Sequence, residues 1–209
     1  MSNRRVCPTL LWKSRRVKNR ASKTPHPYWK KQFNSTPLFL FFRHFTFDAV
    51  FSQIPRLFAL IIGINVYETN PSTLRGAVLD GKAFKSYLMR RLFVPKSNII
   101  TLFDRDATRS AIIEGFRKLR DNEDITEGDP IFIFYAGLGS QKPAHPDWEL
   151  ESRNTQMEVI LPYDCGAVNE EHPEGVEPIP DRTIGILIDE IAAQKGDNIV
   201  STFWDFFSI

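Results

Sequence analysis

The chain has 209 residues, 42% of them hydrophobic and 25% charged, an ordinary globular composition with room for one core plus an extension. Its net charge of +2 conceals a split: residues 1–50 hold 11 Lys and Arg against one acidic residue, Asp48, leaving 16 basic and 24 acidic of the totals of 27 and 25, so the first part is +10 and the rest −8. Two cysteines, Cys7 and Cys165, exclude a disulfide framework and point to a reducing, cytoplasmic setting, and no apolar run reaches the roughly 18 residues of a helical membrane span.

The basic, acid-poor N-terminus fits a presequence or an arm for nucleic acid or a membrane surface. Its arginines lack amphipathic spacing, so residues 1–55 read as a disordered extension, and 56–209 as one domain. LFALIIGI (57–64) is a continuous apolar run with β-branched residues, which predicts a strand buried on both faces. Residues 74–93 read as a helix with an irregular, glycine-containing start, and NIITLFD (98–104) as a strand. Thr108 is the expected N-cap of a helix whose stripe is Ile112, Ile113, Phe116 and Leu119. DPIFIFYAG is a third strand, after which Gly137 and Gly139 predict a sharp turn over 137–140. The turn Asp104–Asp106 reads as a surface turn with local pairing. MEVILPYD (157–164) is a short strand, followed by a Pro- and Gly-punctuated loop. Asp181 is the expected N-cap of a helix with Ile184, Leu187, Ile188 and Ile191 on one stripe and Gly196 as its stop, and the chain ends in a strand.

Strands alternating with helices predict a mainly parallel sheet covered on both faces, with a site at the carboxyl ends of the strands. Those ends are 63–67, 104–106, 137–141 and 205–209. A cysteine peptidase needs a thiolate, an imidazole beside it and N–H donors for an oxyanion. The turn around Leu138 has the shape of such a station, with backbone N–H groups expected to be free, yet Leu138 can neither donate a proton nor accept one.

The ordered set FALIIGINVY, LRGAVLDGKAFKSYL, IITLFDRDATRSAIIEGFRKL, GDPIFIFYAGLGS, VILPYD and IPDRTIGILIDEIAAQKGDNI resembles the caspase-like cysteine peptidases of family C14, closest to metacaspases and fungal caspase-domain proteins. The resemblance implies an α/β fold, a caspase-like three-layer α/β/α sandwich with a mainly parallel central sheet. It also implies an incomplete C-terminal part, because the family's domain continues beyond the position matched by Ile209; the last strand is then expected to present an exposed edge.

In that family the turn after the third strand reads Tyr-(Ser/Ala)-Gly-His-Gly and its His is the base; Leu138 stands there. The family's Asp-Cys-Cys-His-Ser-Gly is matched by WDFFSI to within one residue, which puts Phe207 at the nucleophile position and Asp205 at the Asp. No catalytic residue is then intact. The resemblance carries two substrate carboxylates for Arg or Lys, Asp80 of GAVLD and Asp164 of LPYD, while Ala77 replaces a Cys. The expected function is an inactive metacaspase-like domain, with peptides or proteins bearing Arg or Lys, or an active caspase-like relative, as partners. The alternatives are a fragment of an active Arg/Lys-specific cysteine endopeptidase, and a nucleic-acid or membrane-surface binder using the basic arm; no clear nucleic-acid partner and no transmembrane segment is expected. Substitutes for the missing groups are poor: His145 lies between prolines, His172 reads as a solvent-exposed loop histidine, and Cys165 as a small, partly buried residue. No cofactor is expected; the resemblance leaves calcium open, since some metacaspases use it, but the nine acidic side chains in 141–180 lack EF-hand spacing and read as a solvated, charged loop.

Overall fold

The computed structural model describes residues 12–16, 56–143 and 156–207. In chain order the elements are β1 (Trp12–Arg16), β2 (Phe58–Gly63), α1 (Ala77–Arg91), β3 (Ile99–Phe103), α2 (Arg109–Asp121), β4 (Ile131–Pro143), β5 (Gln156–Ile160), β6 (Ile179–Pro180), α3 (Asp181–Lys195) and β7 (Ile199–Phe207). The sheet runs β1-β7-β4-β2-β3, with β7, β4, β2 and β3 parallel and β1 antiparallel on the outer side of β7. Beyond this row, β5 lies antiparallel against the second half of β4, and β6 against β5. No helix among the described residues is long and apolar enough to cross a membrane.

Every residue of β2 is buried, as its two-sided apolar run requires. Alternation splits the strand between two cores. Leu60 and Ile62 join Phe116, Leu119, Ile188 and Ile191 under α2 and α3. Ala59 and Ile61 join Phe84 and Leu88 under α1, where the Phe84 ring lies 4.7 Å from Phe132 and 5.3 Å from Phe134. The result is the expected three layers, with a mainly parallel sheet between one helix and two.

Thr108 caps α2 as its position predicts, accepting a hydrogen bond from the Ala111 N–H at 3.2 Å. Gly196 ends α3 at φ +84° and donates to the Ala192 carbonyl at 3.0 Å. Asp181 is not the N-cap: Pro180 holds that place, extended at φ −63° and ψ 148°, and Asp181 is already helical. The reason is local, since Pro180 is still paired with Val159 in β6.

The turn expected at 137–140 is absent. β4 stays extended from Ile131 to Pro143, and neither Gly137 nor Gly139 takes a positive φ. Pairing decides this over local propensity. β2 leaves the edge of β4 at Ala136, β5 takes it up from Gly139, and β7 follows the other edge as far as Gly139. The strand expected at 157–164 correspondingly ends at Ile160.

The edge expected to be bare on the last strand is paired along residues 200–204 by β1, within a segment read as a disordered extension. The rest of residues 1–55 lies outside the described residues.

Candidate functional site

The site is built at the carboxyl ends of the parallel strands. After β3, Asp104 adopts a left-handed backbone at φ +48°. Its Oδ1 accepts hydrogen bonds from the N–H groups of Asn65 (2.7 Å) and Val66 (3.2 Å), which follow β2. The Asp104–Asp106 turn is closed locally, the Ala107 N–H donating to the Asp104 carbonyl at 2.9 Å, and its carboxylate in addition reaches 39 residues back along the chain. A short polar side chain is what makes αL tolerable outside glycine, and here that side chain is spent on a long-range contact. Asn65 in turn accepts from Val78 N–H at 3.3 Å, which gives the start of α1 the cap that Gly76 lacks.

This bracing sends Tyr67 beneath β4. The Leu138 N–H donates to the Tyr67 hydroxyl oxygen at 2.6 Å. The Tyr135 hydroxyl lies 2.8 Å from the Leu138 carbonyl and 3.1 Å from that of Leu161, and the Leu161 N–H donates to the Leu138 carbonyl at 3.0 Å. Gly137 makes room for the pair of phenols: a Cβ there would sit 2.5 Å from the Tyr135 oxygen and 3.0 Å from that of Tyr67. The Leu138 side chain, 2% exposed, packs into the core under α2 and α3.

Two chemical consequences follow. The N–H expected to be free for an oxyanion is already engaged by Tyr67, because buried backbone donors must find partners. The Tyr67 phenol is also a poor base near neutrality: burial pushes it up to about 12, offset in part by the bonds from Leu138 and Tyr135.

Across from this strand, the β7 register sets Leu138 opposite Phe206, Gly139 opposite Phe207 and Gly137 opposite Asp205. The backbones of the two stations named from the sequence therefore run side by side. The side chains of 204–207 lie outside the described residues.

The two carboxylates singled out earlier sit on different elements. Asp80 is on the first turn of α1, exposed at its surface, and partial burial raises its carboxyl. Asp164 follows β5, half-buried, and its Oδ1 accepts from the Arg109 N–H at 2.8 Å, which caps α2 from outside. Cys165 is half-buried, with its thiol pushed up chiefly by burial, against the pull of Lys142. A raised thiol has less thiolate, hence less nucleophile. His172 is half-buried rather than exposed, its backbone N–H held by Asn169 at 2.8 Å. His145 lies outside the described residues. Among the described residues no group of three or more His, Cys, Asp or Glu is gathered to hold a metal ion.

Tyr67 and Asp104 fall within the strand ends 63–67 and 104–106 that the sequence marks, but their bonding, and the part of Tyr135, are not legible there. The signal that marks the phenols is Gly137, a position where no side chain fits.

The family model for the metacaspase, peptidase C14 domain matches residues 58–181. Metacaspase-6 of Arabidopsis thaliana is 31% identical over 157 residues, which covers 67% of this chain and 41% of that protein. Metacaspase-1 of Plasmodium falciparum is 34% identical over 123 residues, 54% of this chain and 19% of that protein. Metacaspase-1A of Aspergillus oryzae is 31% identical over 112 residues, 51% and 25% respectively. The chain thus spans well under half the length of each of these relatives.

Proposed function

The chain belongs to the metacaspase, peptidase C14, family, and from that premise we propose that it is a pseudo-peptidase: a domain that retains the family's architecture and does not cut. The observation that carries this reading is Leu138. At the position matched to the family's catalytic base stands a 2%-exposed apolar side chain whose own N–H and carbonyl are both engaged. Acyl transfer by a thiol needs a base to take the thiol proton and a donor for the oxyanion. Leu138 supplies neither, and Cys165, the one described cysteine, has its thiol raised.

In this reading Asp80 and Asp164 attract Arg- or Lys-bearing segments by charge, and an active caspase-like relative is the natural partner. Losing a nucleophile or base costs roughly several powers of ten in rate. The test incubates the full chain with Arg- and Lys-terminated peptides, with and without calcium and a thiol-directed inhibitor. We expect no cleavage, and none after Leu138→His, which restores an imidazole without a thiolate. Cleavage abolished by the inhibitor would overturn the proposal and favour an active Arg/Lys-specific cysteine endopeptidase.

A further inference from the structure

Away from that site, β3 ends the sheet. Among the described residues it pairs only with β2, and Ile100 to Phe103 are half-buried, so its outer edge presents unpaired backbone groups. The shelf beside this edge is basic. Lys85 of α1 reaches Thr101, its Nζ 3.5 Å from the hydroxyl, and Lys82 lies over the Phe103 ring at 5.9 Å from the centroid. Together with Met89 and Arg90 they line a cleft of about 260 Å³. No carboxylate forms an ion pair with Lys82, Lys85 or Arg90 among the described residues. Beyond the cleft, where the chain leaves α1 toward β3, Phe93 is 70% exposed and held at φ +54°, a costly backbone for an aromatic residue.

We propose that the β3 edge is a strand-addition site for an acidic, extended segment of a partner protein. The spacing argues for that chemistry. Thr101 and Phe103 are two residues apart, so they share a face of β3, and the two lysines stand over that face at the same interval. A strand laid against β3 repeats its side chains with the same period of two. Carboxylates at every second position would therefore meet Lys82 and Lys85 in turn. The intervening side chains would fall on the opposite face, beside half-buried Ile100 and Leu102, where apolar residues are favoured. Main-chain hydrogen bonds supply the attachment, and the alternating charge supplies the choice of partner.

The probe is a fluorescent peptide of alternating glutamate and valine, titrated into the full chain while anisotropy and amide exchange are followed. The expected result is salt-sensitive binding that slows exchange in residues 99–103. A peptide of the same composition with its glutamates in one block, and one interrupted by proline, should bind at least about tenfold more weakly. Lys82→Glu with Lys85→Glu should lose binding to a similar degree while keeping the thermal midpoint. Arg117→Glu with Lys118→Glu, the same charge change on α2, should not. Equal binding of the blocked or proline peptide would overturn the proposal in favour of simple charge attraction. An equal loss in the two double variants, or binding without protection of β3, would also overturn it, as would no binding at low salt.

Discussion

Leu138, Gly137 and Tyr67 act as one unit, and none of them is intelligible alone. The glycine admits two phenol oxygens, one phenol takes the leucine's N–H, and the leucine side chain closes the core above them. Tyr67→Phe should therefore cost about 1–3 kcal/mol near neutral pH, the penalty of leaving a buried N–H unpaired. It should also change the alkaline limb. With Tyr67 raised to about 12 in the fold and near about 10 when unfolded, the folded state holds the proton more tightly. That contribution is whole below about pH 10 and is lost as pH climbs toward about 12, at about 1.4 kcal/mol per unit. Urea unfolding at stepped pH should show a shallower fall in Tyr67→Phe than in the parent chain, and identical slopes would remove this account of the phenol. Sequence exposed the identity of residue 138 but not its bonding, since the acceptor lies 71 residues away.

At the scale of elements, the start of α2 carries two caps of different origin. Thr108 is local and readable from its position before the apolar stripe; Asp164 comes from a turn 55 residues later and is not. The family resemblance gave Asp164 a substrate role, and the fold gives its Oδ1 the Arg109 N–H. The two roles separate by measurement. Asp164→Ala should lower stability by about 1 kcal/mol, as removal of a helix cap does, whereas Asp80→Ala, on an exposed surface, should stay within about 0.5 kcal/mol. Equal stability of the two variants in chemical denaturation would rule out a capping role for Asp164. β4 teaches the complementary lesson. Its glycines read locally as a turn, but the strand's partners on either side keep it extended. The apolar phase also changes there: Ile131, Ile133 and Tyr135 face one core, and Leu138 joins the same core three residues on. Local propensity cannot foresee which neighbours a strand will find.

The whole molecule is governed by its sheet edges. Alternating strand and helix patterns made the parallel core of β2, β3, β4 and β7 legible, and the apolar runs placed it between two layers. β1 was not legible, because five residues pair across most of the chain, Trp12 against Trp204, and nothing local records an antiparallel contact of that span. Its effect is to close the edge of β7 while, among the described residues, β3 stays open at the far end. Charge favours the arrangement, since β1 comes from the +10 segment and joins a −8 body. Deleting residues 1–16 should then convert β7 into a bare edge. Amide exchange in residues 200–204 should quicken, because their ladder partners are gone. Light scattering should rise with protein concentration as the unpaired strand finds another copy. Raising salt on the parent chain should mimic the deletion in part, because screening weakens the attraction between basic strand and acidic body. If 200–204 keep their protection after the deletion, β1 is not what closes this edge.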